Sequence, residues 1–515
     1  MALVLIGFMG AGKTTVAREL ADAQGVTPLD SDALLTERLG RTPAQAFAER
    51  GEAEFRAREE ELVVELLSGA GEDDVIALGG GSVESARVRE LLGGHTTVLL
   101  EVSPEVAWER VGAGGAGERP LAADRGAFEQ LHAGRLPRYE ELADAIVPEL
   151  PLGGAPALLG SLRALAAAPD GARLLWARAS SGDYPVLVAD GLLDDPAAVA
   201  AAWPLDRSRS RSFCVSDEHV QPLYGERIGA VALTIALPPG EAHKTLASAE
   251  RVWRELARAG MTRADHVAAL GGGVVGDVAG FCAATYQRGV PVVQVPTTLV
   301  AQVDSAYGGK TGVDIPDAKN YVGAYHQPAG VLVDPAALAS LPAAEYAAGW
   351  VEVLKTALIA GGALWDAITR DEPVDAGTIL ACARVKLAVV AADERDAGTR
   401  QLLNLGHTVG HAIETVTGYA RYRHGEAVGL GLLAALRLSG LGDLRDQVRG
   451  LLRAHELPVT LVDADPQAVL DATRLDKKRV GDRVPFVLVN APGDVTTGCE
   501  VDLDDVLAAI AELAA

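Results

Sequence analysis

The stretch LNLGHTVGHAIE, residues 403–414, sets two imidazoles four residues apart, at His407 and His411. On a helix that spacing puts both rings on one face, where both could ligate one metal ion. The same face aligns Asn404 and Glu414. Further donors stand at Glu352 in GWVEVLKT and His424 in RHGEA. A catalytic divalent ion needs about three protein ligands and an open position. Spacing does not say which three of these bind. Several imidazoles and carboxylates in one polar constellation point to a site and not to a solitary core histidine.

A different chemistry opens the chain. GFMGAGKTT fits G-x-x-x-x-G-K-[ST] over residues 7–14, after a strand-like run and before a helix-like one. That context marks a phosphate-binding loop. Backbone N–H groups around Gly10, Ala11 and Gly12, and at Thr14 and Thr15 where the helix opens, can approach phosphate oxygens. Lys13 is expected to reach the β and γ phosphates and the Thr14 hydroxyl to hold Mg²⁺. The acceptor side must come from elsewhere. Asp30 and Asp32 in DSD follow a short strand, near the sheet edge where α/β proteins bind ligands. One carboxylate can support Mg²⁺ while the other orients a hydroxyl. Arg56 and Arg135 are candidates for gripping a carboxylate. Gly80 and Gly81, in the GGG of residues 79–81, would let a small substrate lie against backbone. Arg119 follows the glycine-rich AGGAG, as expected of a charge-stabilising arginine on a lid.

A second glycine turn lies mid-chain. DHVAALGGGVVGDVAG places Gly271, Gly273 and Gly276 after a strand and into a helix, a weak dinucleotide signal on its own. The usual ribose-binding acid about 20 residues later is missing, since that segment reads PVVQVP. Asp217, or Glu241 with Lys244 in GEAHKT, are the alternatives. PTTLVAQVDSAYGGKTGVDIPDAKN then supplies Thr297, Thr298, Asp304, Lys310, Lys319 and Asn320 in one segment. So many polar groups beside an apolar strand are costly to bury without ligand partners.

The elements that must position these groups follow from periodicity. At 515 residues the chain is too long for one core. Strand-like and helix-like runs alternate from the start (ALVLIG, KTTVARELADA, DVIALGG, TTVLLEV), which predicts a parallel sheet with helices on both faces. A second alternating block follows, and after about residue 338 helical periodicity dominates. The expected organisation is an α/β P-loop domain over 1–167, a linker at 168–173, a Rossmann-like α/β domain over 174–337 and a mostly helical domain over 338–515. The net charge of −24 argues against nucleic acid or anionic membrane as partner. Four scattered cysteines fit reduced thiols in a cytoplasmic enzyme. No apolar run reaches the roughly 20 residues a membrane helix needs.

Residues 1–167 resemble shikimate kinase, on GFMGAGKTT, DSD, FR at Phe55 and Arg56, GGG, RPL from Arg119 and RxPxY from Arg135. The resemblance implies ATP-dependent phosphorylation of shikimate. Asp32, Arg56, Gly80, Gly81 and Arg135 would hold the acceptor, Asp30 would serve Mg²⁺, and Lys13, Asp32 and Arg119 would act in catalysis. RPLA stands where RPLL is more usual.

Residues 174–515 resemble 3-dehydroquinate synthase, on GEAHKT, GGGVVGD, PTTLVAQVDSAYGGKTG, AKN, VEVLK, LNLGHTVGHAIE and HGEAVG, all in order. That resemblance implies Zn²⁺, or another divalent ion such as Co²⁺, on Glu352, His407 and His424, with His411 left for proton transfer. It implies NAD against Asp217, Glu241, Lys244, Gly273, Val274, Asp277, Thr297, Thr298, Asp304, Lys310 and Lys319. The substrate, 3-deoxy-arabino-heptulosonate 7-phosphate, would meet Arg288, Asp304, Lys310, Asn320, Lys355, Lys386, Arg400, Asn404, His411 and Lys478. Lys310, Lys355, Arg400 and His411 would be catalytic. Tyr307 and Asp314 depart from common forms of the motif, which bears on substrate fit.

Together these readings predict a bifunctional enzyme with two independent sites and small-molecule substrates, pairing as a homodimer through the synthase half. An alternative for the larger half is a metal-dependent alcohol dehydrogenase. A nucleotide-sensing first half is disfavoured by its intact acceptor residues.

Overall fold

The computed structural model describes every residue except 43, 44, 47, 48, 50, 114–123, 317, 474–484 and 515. Two units result, one of Met1–Ala177 with Pro185–Leu187 and Ala201–Pro204, the other of Arg178–Tyr184, Val188–Ala200 and Leu205–Ala515.

The first unit alternates strands and helices: β1 (Leu3–Ile6), α1 (Lys13–Gln24), β2 (Leu29–Asp30), α2 (Ser31–Leu39), α3 (Glu52–Gly69), β3 (Val75–Ala77), β4 (Thr96–Leu100), α4 (Arg125–Leu142), β5 (Ala145–Val147) and β6 (Arg173–Ala177). The strands pair in parallel in the order β2-β3-β1-β4-β5-β6. The central strands are largely apolar, as in a parallel sheet buried on both faces, and β4 is buried along its whole length, Thr96 and Thr97 included. The chain leaves β1 with β3 on one side and β4 on the other, the kind of reversal beside which open α/β sheets bind ligands. α1 starts there, after Gly12 at φ 88°, a conformation L side chains rarely adopt. α2 starts where Asp30 Oδ1 accepts from Asp32 N (3.0 Å) and Ala33 N (3.1 Å), an N-cap worth about 1 kcal/mol.

The strands of the second unit also pair in parallel. Its elements are β7 (Ser212–Asp217), β8 (Leu233–Leu237), β9 (His266–Gly271), α5 (Gly273–Thr285), β10 (Val292–Pro296), a hairpin of β11 (Lys310–Ile315) and β12 (Ala318–Tyr325), and β13 (Gly330–Val333). The order is β13-β10-β9-β7-β8. Phe213, Val215, Val267 and Ala269 from the strands pack with Val275, Val278 and Cys282 of α5 in one buried cluster. Full burial of each large apolar chain contributes about 1.5–3 kcal/mol. This core fixes the glycine turn between β9 and α5.

Helices follow: α6 (Ala343–Ala360), α7 (Ala376–Ala392), α8 (His407–Val416) and α9 (His424–Leu438). The predicted helical stretch also holds an antiparallel hairpin, Phe486–Ala491 with Asp494–Cys499. α9 lies unusually close to α6, because a Cβ on Gly425 would overlap the carbonyl of Ala348. That approach brings the first residue of α9, His424, to the middle of α6, where Glu352 is buried. No helix among the described residues is long and apolar enough to cross a membrane.

Candidate active sites

In the first unit, the loop of residues 7–12 turns through Gly7, Gly10 and Gly12, all at positive φ, and exposes backbone N–H groups ahead of α1. Gly12 gives α1 no side-chain cap, so its first amides remain available to an anion. Lys13 Nζ donates to Gly7 O (2.8 Å) and Phe8 O (3.0 Å). Thr14 Oγ1 donates to Asp30 Oδ2 (2.6 Å), pairing the two residues expected at Mg²⁺. Thr15 is exposed on the first turn of α1.

Residues 79–81 gather the acceptor candidates. A Cβ on Gly79 would lie 2.7 Å from Asp32 Oδ1, and one on Gly81 would overlap the Arg56 guanidinium. Arg135, buried on α4, reaches Gly80 O at 3.5 Å, and Tyr139 donates to the same carbonyl at 2.5 Å. Glu59 is a member that sequence reasoning missed. It takes Arg56 Nη1 at 2.5 Å and Ser82 Oγ at 3.2 Å. Burial pushes its carboxyl above the ordinary range, and Arg56 opposes that shift. Within the run REEE it reads as one more solvated acid; its place three residues after Arg56 was the available signal. Arg119 and the RPLA stretch lie outside the described residues.

In the second unit, Glu352, His407 and His424 each offer a ligand atom, all within 4.8 Å of one another. His407 Nδ1 contacts Leu405 O (3.1 Å) and His424 Nδ1 contacts Glu414 Oε2 (3.3 Å). Both Nε2 atoms face Glu352 Oε1, at 3.6 and 3.5 Å. Burial opposes a charge on His424, yet the two carboxylates, Glu352 and Glu414, raise the metal-free imidazole to about 10; a neutral ring held through Nδ1–H would offer Nε2 to an ion. This is the outer-shell pattern that orients metal-binding imidazoles. Glu352 is 1% exposed, and neither of its oxygens has an aligned hydrogen-bond donor, although Lys355 Nζ stands 2.5 Å from Oε2. Such a buried oxygen pair fits a cation. Burial would raise its pKa, yet the Lys355 ammonium beside it holds the Glu352 carboxyl well below the usual range. Burial drives His407 well below its ordinary value. His411 also lies close, its ring centroid 5.2 Å from that of His407, and His411, Glu414 and His424 form a second group within the same spacing.

Around Glu352 runs a string of cations. Lys386 Nζ donates to Asp304 Oδ1 (2.6 Å), and Lys355 Nζ lies 4.0 Å from the same oxygen. Lys310 Nζ meets Asp396 Oδ2 at 2.6 Å, a partner missed in the sequence. Burial brings the Lys310 ammonium down to about 8, against the pull of Asp396. Arg400 is buried and donates to Glu394 O (2.6 Å) and Gly308 O (2.9 Å). Asn404 closes the 3₁₀ turn Thr399–Asn404 ahead of α8. Arg288 is not drawn into this network: it is exposed, at φ 72°. Lys478 lies outside the described residues.

The nucleotide candidates flank the β9–α5 turn. A Cβ on Gly272 would lie 2.7 Å from Thr298 Cγ2, and one on Gly273 3.1 Å from Ser305 Oγ. Val274 follows on the half-buried first turn of α5. Thr297, 3% exposed, leaves its Oγ1 without a hydrogen-bond partner. Lys244 joins Asp277 Oδ2 (2.5 Å) to Asn320 Oδ1 (2.6 Å), and Lys319 lies 3.2 Å from Glu241. Asp217 caps the turn after β7, accepting from His219 N and Val220 N at 2.9 Å each. Both motif departures have internal partners: Tyr307, buried, donates to Gln302 O (2.6 Å), and Asp314 accepts from Asn320 N (2.7 Å).

Residues 234–348 match the family profile of 3-dehydroquinate synthase, N-terminal, and residues 349–479 that of 3-dehydroquinate synthase, C-terminal. A 3-dehydroquinate synthase of Halorhodospira halophila is 46% identical over 344 residues, covering 63% of this chain and 96% of that protein. The chain belongs to the 3-dehydroquinate synthase family. Residues 9–150 match the shikimate kinase profile, so a shikimate kinase domain is fused ahead of the synthase. Both families are enzymes of the shikimate pathway, one a kinase and the other a phosphate-eliminating cyclase. Among solved structures, 2-epi-5-epi-valiolone synthase from Streptomyces hygroscopicus subsp. jinggangensis, with NAD⁺ and Zn²⁺ bound, is 28% identical with a TM-score of 0.58, over 64% of this chain and 96% of that one. A 2-deoxy-scyllo-inosose synthase shares the fold at 23% identity, with a TM-score of 0.59 over 66% of this chain and 99% of that one.

Proposed function

We propose that the larger half converts 3-deoxy-arabino-heptulosonate 7-phosphate to 3-dehydroquinate and phosphate with NAD and a divalent ion, and that the smaller half phosphorylates shikimate with Mg²⁺ and ATP. We assign the kinase to residues 1–167, the dinucleotide site to 174–337, and the metal and substrate groups mainly to 338–515. The observation that carries the synthase reading is the convergence of Glu352, His407 and His424 beside Lys355 and Lys386. The high identity to a synthase favours this over the dehydrogenase reading.

Glu352, His407 and His424 would hold Zn²⁺ or Co²⁺, as the donor set of one carboxylate and two imidazoles suits. The Gly272 turn, Thr297, Glu241, Lys244, Asp277 and Lys319 would hold NAD. When bound, the ion would polarise the hydroxyl being oxidised, and NAD would take up one hydride and return it. The chain's own part is electrostatic and protonic. Lys310, Lys355, Lys386 and Arg400 would bind the substrate's carboxylate and phosphate, and the burial of Lys355, Lys386 and Arg400 strengthens their contacts. His411, beside the metal group but outside its Glu352-centred trio, would move a proton. Arg288 has no hydrogen-bond or ion-pair partner among the described residues; with Gln287 at φ 50° it keeps a strained backbone. We assign it to the substrate site of a second copy in a homodimer.

In the kinase, the residue 7–14 loop would cradle ATP phosphates while Thr14 and Asp30 serve Mg²⁺. Asp32, Arg56 and Arg135 would orient shikimate against residues 79–81. Incubation of the full chain with the heptulosonate phosphate, NAD⁺ and Co²⁺ should release phosphate and form dehydroquinate without net NADH, and a chelator should stop it. Accumulating NADH would contradict the synthase reading. ADP formation that ignores shikimate would contradict the kinase reading.

A further inference from the structure

Three charged side chains and an imidazole link the nucleotide side of the second unit to its metal side. Lys319 Nζ, on β12, lies 3.2 Å from Glu241 Oε1 and 3.2 Å from Glu414 Oε1. The other oxygen of Glu414 meets His424 Nδ1 at 3.3 Å. Glu414 is 2% exposed, so its carboxylate is itself shielded from bulk water, which strengthens the charge-assisted contact with Lys319. The Tyr419 ring lies 4.3 Å from the Lys319 ammonium and narrows the positions it can take. Each link is short, and the two inner members, Lys319 and Glu414, each have a partner on either side.

We propose that Glu414 is a positioning residue that couples metal binding to NAD⁺ binding through the chain Glu241–Lys319–Glu414–His424. This rests on the metal and nucleotide assignments above. An ion on His424 Nε2 fixes the imidazole plane, and Nδ1–H then holds the Glu414 carboxylate. Glu414 in turn holds Lys319, which holds Glu241. A dinucleotide arriving against Glu241 and Lys319 meets groups already ordered, so the ordering cost falls once and is shared. Linkage requires the reverse effect to have the same size. The sequence alone leaves Glu414 as one acid on a helical face.

The test uses the full-length chain and four titrations: NAD⁺ with and without saturating Co²⁺, and Co²⁺ with and without saturating NAD⁺. Each ligand should tighten the other by the same factor, about tenfold. In Glu414→Gln, which keeps the side-chain shape, and in Lys319→Met, that factor should fall towards one. The absorption bands of the Co²⁺-saturated Glu414→Gln protein should match the parent, since Glu414 orients a ligand without being one. A factor near one in the parent chain, or an undiminished factor in both variants, overturns the coupling. A changed Co²⁺ spectrum in Glu414→Gln makes Glu414 a ligand and overturns the positioning role. Failure of the parent chain to bind Co²⁺ or NAD⁺ at all overturns the underlying assignment and the inference with it.

Discussion

His407 and His424 head two different helices, yet their ring centroids stand 5.3 Å apart. His411, one turn along from His407, is 5.2 Å from it by the same measure. Distance therefore does not separate the two pairs; orientation does. His424 Nε2 faces Glu352, while its Nδ1 is occupied by Glu414. His424→Ala should lose more than the roughly 10–100-fold in metal affinity typical of outer-shell changes, whereas His411→Ala should retain its metal and lose turnover. Metal content after gel filtration, set against synthase rate, checks both.

The close contact of α9 with α6 carries a second expectation. Gly425→Ala must push α9 away from the Ala348 carbonyl. Overpacking of this kind costs about 1–3 kcal/mol, and it moves His424 relative to Glu352. Thermal unfolding should shift down and Co²⁺ affinity should fall together. A variant with unchanged metal affinity would show that the helix contact does not set the site.

Lys310 predicts a pH dependence. Burial holds its pKa at about 8, below the ordinary 10.5. Between those values the unfolded chain binds more protons than the folded one, so this group makes stability rise with pH across that window. Substrate binding runs the other way, because an anion needs the ammonium. The kcat/KM of the synthase reaction should therefore fall with an inflection near 8, a limb that reports the free enzyme. Lys310→Arg, which stays charged, should move that limb to higher pH. The same limb in both proteins would exclude Lys310 as its source.

Gly81 tests the kinase half. A Cβ there must displace the Arg56 guanidinium. Gly81→Ala should raise the KM for shikimate by roughly tenfold, about 1.4 kcal/mol of lost interaction, with the KM for ATP little changed. The synthase rate should be untouched if the two sites are independent.

Much of this was legible in the residues. The phosphate loop was read from its glycines and Lys13, because a backbone cradle demands that spacing and a strand–helix context. The parallel sheets followed from alternating apolar runs. The trio Glu352, His407 and His424 was not legible from spacing, which favoured His407 with His411; its members come from three helices and only resemblance to a family ordered them. Glu59 and Asp396 were missed because a single acid in a helix or loop looks like a solvated charge. Asp396 takes its role from Lys310, 86 positions away, and Glu59 adds Ser82 to its nearby Arg56. The hairpin after α9 was missed because its apolar run is short and enclosed by helical pattern.

The most direct test of the metal assignment is an anomalous difference map from crystals of the full chain loaded with Co²⁺. The account predicts one peak about 2.0–2.2 Å from a Glu352 oxygen, His407 Nε2 and His424 Nε2, with His411 beyond bonding distance. A peak bonded to His411 in place of His424, or no peak at Glu352, would contradict it.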